Sequence, residues 1–279
     1  MDKIGINRRF AKFLHSTRAL AIPLTYLILF VSLIAIISAT YSFAVIKIAA
    51  KGASVKASVA KHDMQLLDMA IHRVAWTAGA SEVVYMDDFG GVFKFDPTAK
   101  NLTINFAGDQ AVNDVVFDCP TGNALCKLES PEENYGGLYI KGDERAIANQ
   151  TAFGMTQLYG QADANGQSII LCYRPVAMST ATGTSNGKPS NLVRIYITNL
   201  NASQTLATRG SFYLRITSLN VSNAVRQYEF NQSISSIALN GIFGENTGSV
   251  LLSVSGNENG AIVSLEMVIC NVKLEKIEV

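Results

Sequence analysis

One uninterrupted apolar stretch constrains this chain more than any other feature. From Ala19 to Ile46, 28 consecutive residues include no charged side chain. About 20 apolar residues in a helix are enough to cross the roughly 30 Å hydrocarbon core of a membrane, and a helix satisfies its own backbone there. The stretch predicts a membrane-spanning helix. Three kinds of segment fit it: a removable secretory signal, a signal anchor, and a retained helix that forms the core of a filament.

The length of the stretch distinguishes among these possibilities. A secretory signal has an apolar core of about 7 to 15 residues, followed by a small-x-small cleavage site. The core here is about twice that long, although Ser42-Phe43-Ala44 provides such a site. The sequence therefore favours a helix that is retained.

Charge is distributed unevenly along the chain. Residues 1–75 contain 10 Lys and Arg against 3 Asp and Glu, whereas residues 76–279 contain 13 against 19. The first part carries +7 and the remainder −6, within a net charge of +1. Binding to nucleic acid needs clustered Lys and Arg, so the acidic C-terminal part argues against a nucleic-acid partner.

The segments that flank the span indicate its orientation. A basic leader precedes it, which favours a cytoplasmic N-terminus, but Lys47, Lys51, Lys56 and Lys61 follow on the other side. The N-glycosylation pattern and all four cysteines occur only after the span, so we expect the C-terminal part to lie outside the cell. The candidate glycosylation sites are Asn101, Asn149, Asn201, Asn220 and Asn231.

The start of the span carries a family resemblance. Arg18-Ala19 stands directly before Leu20-Ala21-Ile22-Pro23, after a short basic leader. This arrangement resembles the class III signal of type IV prepilins, in which a membrane peptidase cuts after a basic-plus-small pair and the apolar helix is retained. The resemblance implies a processing site formed by Arg18, Ala19 and Leu20, with residues 1–19 as the leader.

One difference from bacterial pilins indicates which branch of the family the chain resembles more. Bacterial pilins carry an acidic residue near the fifth mature position, where this chain has Leu24. Archaeal members often lack it, so the chain looks more like an archaeal pilin. The resemblance implies a membrane-held subunit that forms a surface filament, of a kind used for example in cell adhesion. The positions implied in helix assembly are Pro23, Leu27, Phe30, Ile34 and Ile37.

The helical pattern continues beyond the membrane segment. Apolar positions recur at alternating spacings of four and three, which predicts an amphipathic stalk. We expect one helix from Leu20 to about Ala75, with a bend at Gly52 and an end at Trp76-Thr77-Ala78-Gly79. The stripe consists of Ile48, Gly52, Val55, Val59, His62, Leu66 and Met69.

The rest of the chain has a sequence pattern that predicts β-strands. Short runs rich in Val, Ile, Tyr and Phe alternate with turn residues, which is typical of a β-sandwich. We expect the polar segment Ser179–Ser190 to be an exposed hairpin loop that joins a pair of buried strands, Ser168–Val176 and Leu192–Leu200. We therefore predict an α+β protein: a transmembrane and stalk helix over residues 20–75, then an all-β, sandwich-like head over 76–279. The predicted strands are Glu82–Met86, Gly91–Phe95, Leu102–Phe106, Val115–Phe117, Gly137–Ile140, Phe153–Tyr159, Ser168–Val176, Leu192–Leu200, Ser211–Thr217, Val225–Phe230, Ser233–Leu239, Val250–Val254 and Ile262–Lys273.

Four cysteines outside the membrane suggest two disulfides. The favoured pairs are Cys119 with Cys126, closing a local loop, and Cys172 with Cys270, which lie in strand-like runs. The alternative is that Cys172 and Cys270 are reduced core residues.

The positions of the histidines in the sequence give little support for a catalytic site. His15, His62 and His72 all lie in the leader or the stalk, so a nucleophile–histidine arrangement in the head would have to use His72. We predict no enzyme activity, no cofactor, no metal site and no small-molecule substrate. The expected partners are the membrane, a prepilin peptidase and other copies of the chain, and the alternative is a signal-anchored surface glycoprotein whose head binds a ligand or an envelope partner.

Overall fold

A computed structural model describes residues 7–107, 113–128, 137–149, 152–163 and 166–278. Side chains are described from Pro23 onward, except at residues 152, 153 and 163. One long α-helix comes first in this part of the chain, and the remainder consists mostly of strands. The predicted α+β class is confirmed at this level.

The helix α1 spans Asn7–Val74, 68 residues in all. It begins well before Leu20, where the sequence analysis placed the start of the helix, and it ends within a residue of the expected position. Gly79 follows with a φ of 81°, a left-handed conformation that glycine adopts without steric cost. Its N–H donates to the carbonyl of Ser218 over 2.8 Å. The turn after α1 is thereby tied to the strands.

The chain divides into two compact units, Met1–Ala53 and Ser54–Val279. The described part of the first unit is helix throughout. The second unit contains the last turns of α1 together with all of the described strands. A 3₁₀ helix also belongs to it, at Ala152–Met155.

The strands are numbered in chain order. They are β1 Ser81–Met86, β2 Val92–Ala107, β3 Asn113–Leu128, β4 Tyr139–Lys141, β5 Ala148–Asn149, β6 Thr156–Asp163, β7 Gly166–Tyr173, β8 Val176–Ser185, β9 Lys188–Asn199, β10 Leu206–Thr208, β11 Phe212–Phe230, β12 Ser236–Phe243, β13 Asn246–Ser253 and β14 Ala261–Ile277.

Within the described residues these strands form two sheets. One has the order β1-β11-β14-β9-β8-β5, and the other has the order β13-β12-β2-β3-β7-β6-β4, with β10 also paired to β2. Most neighbours are antiparallel, but β9 with β14 and β5 with β8 are parallel. The sheets therefore combine hairpins with longer crossover connections.

Several strands are longer than predicted because bulges replace the expected turns. Residues 97–100 were predicted to separate two strands, yet β2 continues through them with a register shift between Asp96 and Lys100. The carboxylate of Asp96 accepts the N–H of Thr98 over 2.9 Å and satisfies the irregular backbone. The two predicted strands on either side of residues 218–224 likewise merge into β11, which has a bulge between Ser218 and Asn220.

The polar segment Ser179–Ser190 was predicted to be an exposed hairpin loop. It is instead mostly strand, because β8 and β9 pair up to Ser185 and Lys188 and leave a two-residue turn. Asn186 and Gly187 both have positive φ, at 52° and 77°, as such a tight turn requires. The predicted strand Ser168–Val176 pairs with β3 and β6 in the other sheet rather than with β9.

Two clusters of buried side chains form the core, and each draws on both sheets. One also includes the last turns of α1 and joins them to residues such as Phe93 of β2 and Leu214 of β11. The second contains Ile104 of β2 and Leu265 of β14. The sheets are therefore linked through shared apolar contacts.

The buried face of the stalk is not the predicted stripe. Val55, His62 and Met69 are exposed, and Val59 and Leu66 are only partly buried. The helix buries a neighbouring face instead, which contains several alanines whose small side chains permit close packing. The fully or nearly fully buried apolar members of this face are Ala57, Ala60, Met64, Leu67, Ala70, Ile71 and Val74.

The predicted disulfides are wrong, because all four cysteines are free. Cys119 and Cys126 lie on the same strand, β3, and seven residues at about 3.3 Å each separate them by roughly 23 Å. A disulfide needs Cα atoms about 4.4 to 6.8 Å apart. Cys172 and Cys270 belong to different core clusters, so the alternative interpretation of this pair as reduced core residues is correct.

Candidate functional site: the exposed apolar helix

The part of α1 that follows Pro23 is apolar and uncovered. Every residue from Pro23 to Ala49 is exposed, and the large apolar side chains between Leu24 and Ile48 are 47% to 72% exposed. Leaving such a side chain in water forgoes about 1.5 to 3 kcal/mol of burial free energy. A surface of this size therefore requires a nonpolar environment, and its helix is long and apolar enough to cross a membrane.

Two hydroxyl groups in this segment are satisfied by the helix itself. Ser32 Oγ donates to the carbonyl of Leu29 over 2.8 Å, and Thr40 Oγ1 donates to the carbonyl of Ile36 over the same distance. Such bonds within the helix let a hydroxyl enter a dry environment, where an unpaired polar group would cost several kcal/mol. These polar residues are thus compatible with lipid or with another helix.

The predicted assembly positions lie on this exposed segment. Leu27, Phe30, Ile34 and Ile37 follow one another at spacings of three and four, which places them along one side of the helix, and all four are about half exposed or more. At the end nearer the strands, Lys47 Nζ lies 5.5 Å from the centre of the Phe43 ring. A cation beside an aromatic ring is typical of a membrane boundary.

The predicted processing residues lie within α1. The side chains of Arg18, Ala19 and Leu20 lie outside the described residues, but their backbone is helical. Pro23 also lies inside the helix and has no N–H. The carbonyl that would normally accept that hydrogen bond, four residues earlier, belongs to Ala19. The Ala19–Leu20 peptide is therefore less tightly held than its neighbours in the helix.

A buried polar cluster, missed in the sequence, joins the stalk to the sheets. The Asp68 carboxylate accepts hydrogen bonds from Thr156 and Tyr173, each over 2.8 Å, and pairs with Lys141 Nζ at 2.5 Å. His72 Nε2 lies 3.4 Å from the same carboxylate. Burial alone would raise the pKa of Asp68, but hydrogen bonds from His72, Lys141 and Thr156 outweigh it and lower the pKa to about 2.

This cluster does not have the geometry of a catalytic triad. A triad uses the two ring nitrogens of histidine, one toward the nucleophile and one toward the carboxylate. Here His72 Nε2 faces both Thr156, at 2.8 Å, and Asp68. Thr156 is also completely buried, so a substrate has no access to its hydroxyl. The arrangement fits a structural role in which the helix is fixed to the sheets.

The five candidate glycosylation sites differ in accessibility. Asn101, Asn220 and Asn231 are exposed, whereas Asn149 and Asn201 are partly buried. The two residues that complete the pattern after Asn149 lie outside the described residues. Exposure at the first three sites is compatible with attachment of a glycan, and glycosylation at all five stays a prediction.

In the part of the chain that the structure describes, no group of three or more His, Cys, Asp or Glu side chains is placed to hold a metal ion. Among the described residues, the most distinctive feature is the uncovered apolar surface of α1. Comparison with known proteins adds no further guide, since no protein-family model, curated protein or solved structure matches this chain.

Proposed function

We propose that this chain is a non-enzymatic type IV pilin-like subunit that assembles into an extracellular filament through its N-terminal helix. The observation that carries the proposal is the exposure of α1 on all sides from Pro23 to Ala49. Lipid covers this surface before assembly, and the helices of neighbouring subunits cover it afterwards. Because lipid already shields the surface, the free energy of moving the helix from the membrane into the filament depends on packing and geometry rather than on burial alone.

Identical subunits that contact each other through different surfaces form a filament when the arrangement does not close into a ring. In this proposal the filament core consists of the apolar helices, and the β head lies outside as a glycosylated sandwich. The sandwich is supported by the two core clusters, each of which takes side chains from both sheets.

The resemblance to prepilins supplies the processing step. Removal of residues 1–19 places Pro23 in the first turn of the mature helix, where its missing N–H costs nothing. Before processing, the same proline deprives the Ala19 carbonyl of its usual partner, and that carbonyl belongs to the peptide bond to be cut. One residue thus loosens the cleavage site in the precursor and is tolerated in the product.

The mature N-terminus tests this proposal. The chain is produced in a host that has an archaeal prepilin peptidase, and its terminal peptide is identified by mass spectrometry. We expect a start at Leu20 that disappears in Arg18→Gln, with Arg9→Gln as the matched control that retains cleavage. A start at Met1 in every sample would contradict processing.

The alternative function is that of a signal-anchored surface glycoprotein. The same exposed helix supports it, because a single span is enough to anchor a head. An intact leader together with a monomeric protein in mild detergent would favour the anchor. A start beyond Ala44 would remove the helix and would exclude both proposals. If processing is found, abundance in purified filaments distinguishes a major subunit from a minor one that initiates or tips the filament.

A further inference from the structure

A cavity of about 420 Å³ opens between β2, β6 and the turn that joins β12 to β13. Its volume is within the range of small-molecule sites. Aromatic, amide and charged side chains line it together, which distinguishes it from the two apolar core clusters. The lining includes Lys100, Asn123, Tyr139, Tyr159, Phe243 and Asn246.

Lys100 is the unusual member of this lining. Its Nζ lies 3.2 Å from the Tyr159 hydroxyl and 3.6 Å from Cys172 Sγ, and it stands 4.6 Å from the centre of the Phe243 ring. Burial raises the pKa of the Cys172 thiol, so this partner is neutral. Among the described residues, Lys100 forms no ion pair, whereas the comparable Lys141 and Lys188 pair with Asp68 and Glu229.

Burial alone would lower the pKa of Lys100, but its interactions with Cys172 and Tyr159 outweigh burial and raise the pKa, so the side chain is an ammonium ion at neutral pH. That charge has no carboxylate partner among the described residues. The aromatic rings beside it supply a weaker electrostatic attraction than an anion would. An anionic ligand in the cavity would complete its coordination. Lys100 therefore makes the cavity favour a negatively charged ligand.

The backbone around the cavity holds Lys100 in place. The N–H of Gly244, in the turn that joins β12 to β13, donates to the carbonyl of Asn101 over 2.9 Å and fixes this turn against β2. Gly244 has a φ of 62°, and a Cβ at this position would lie 3.4 Å from the stem of Lys100. The cavity wall is thus built before any ligand arrives.

The remaining lining suits a hydroxylated ring. Tyr139 and Tyr159 lie with ring centres 5.2 Å apart, tilted by 33°, and present aromatic surface on which the C–H face of a sugar can pack. The side-chain amides of Asn123 and Asn246 offer donors and acceptors to hydroxyl groups. Aromatic surface with a few polar groups that fix orientation is the usual composition of a ligand site.

The charge balance favours a single negative charge. Phosphate dianions are commonly held by several donors or by an arginine fork, whereas this cavity offers one lysine. Glu245 also lines the cavity and is exposed, so its carboxylate repels a ligand of higher negative charge. A carboxylate is the anion that fits this balance.

We propose that the cavity binds a sugar that carries a carboxylate, a uronic acid, with the carboxylate on Lys100 and the ring against Tyr139 and Tyr159. This site is independent of filament assembly, since the lining residues all belong to the strands and turns of the second unit. It gives the head a recognition function for acidic glycans.

Titration of the full-length chain with D-glucuronate tests the proposal. The protein is kept in a detergent without sugar groups, and binding is measured by calorimetry and by saturation-transfer NMR. We expect glucuronate to bind at least tenfold more tightly than glucose or acetate, and added salt to weaken it. Equal binding of glucose would overturn the role of the charge, and equal binding of acetate would overturn the role of the sugar ring.

Variants locate the site. Lys100→Met should weaken glucuronate binding at least tenfold, whereas Lys94→Met, an exposed lysine on the same strand, should leave it unchanged. Glu245→Gln should tighten binding severalfold because a repelling charge is removed. If Lys100→Met does not fold, Tyr139→Ala, at the edge of the sheet, should still weaken binding. Wild-type affinity in Lys100→Met or in Tyr139→Ala would refute the site.

Discussion

The two described regions of α1 have the same secondary structure and opposite surroundings. From Pro23 to Ala49 every residue is exposed, although most are apolar. From Ser54 to Val74 one face is buried against the strands, and this face includes two carboxylates, Asp63 and Asp68. The first region needs a partner from outside the chain, whereas the second packs against the strands of the head.

The difference shows which residues each environment tolerates. A carboxylate in the exposed apolar region would meet lipid or another apolar helix, where an unpaired charge is expensive. Asp68 is acceptable because Lys141, Thr156 and Tyr173 surround it with donors. Asp63 accepts the backbone N–H of Asp87 over 2.8 Å, although burial outweighs this bond and raises its pKa. Tertiary partners, not helix propensity, make these positions possible.

The largest expected effect is the loss of the Asp68 cluster. Asp68→Ala leaves the buried Tyr173 and Thr156 hydroxyls without their acceptor and Lys141 without its counter-ion, so the free energy of unfolding should fall by about 3 to 5 kcal/mol. Chemical denaturation of the full-length protein in detergent, followed by the β signal in circular dichroism, measures this loss. Ser58→Ala, an exposed change on the same helix, is the control. A loss below about 1 kcal/mol would show that the cluster adds little to stability.

Truncation of the buried face should have the next largest effect. Leu67 is completely buried, and Leu67→Ala should cost about 3 kcal/mol because it removes apolar contacts and leaves a cavity. Met69→Ala shortens a side chain that is 44% exposed on the predicted stripe, and should cost less than about 1 kcal/mol. Equal losses in these two variants would mean that the predicted stripe, and not the observed face, packs against the strands.

Lowering the pH should selectively weaken the packing of α1 residues 54–74 against the strands. The pKa of Asp68 is lowered to about 2 from an ordinary value of 3.8, so its contribution is complete above about pH 5 and is lost as the pH falls through 2. A shift of this size corresponds to roughly 2 kcal/mol. The stability difference between the wild type and Asp68→Asn should therefore shrink between pH 5 and pH 2. A constant difference over this range would contradict the assigned shift.

The smallest expected effect lies in the first region. Leu33 is 54% exposed and touches no core cluster, so Leu33→Ala should change the unfolding free energy of the head by less than about 0.5 kcal/mol. The same denaturation experiment measures this change. A loss comparable to that of Leu67→Ala would show that the first region contributes to the fold of the head, and the contrast between the two regions would fail.

The sequence by itself determined the order of the elements and the nature of the first region. An apolar run without charges predicts a helix that needs a nonpolar environment, and alternating patterns rich in β-branched and aromatic residues predict strands. The end of α1 was also predictable, because Gly79 is suited to a left-handed turn. Each of these features depends on residues that are close together in the sequence, so a local pattern is enough to predict it.

Tertiary structure alone decided which faces meet. Spacing identified a helical stripe but selected the wrong side, since small alanines and partnered carboxylates are weak signals in a hydropathy pattern. The bulge at Asp96–Lys100 and the placement of Cys119 and Cys126 on one strand depend on pairing with β3 and β7. The Lys100 cavity also brings together residues from strands distant in sequence. Contacts between distant segments set these features, and no local pattern encodes them.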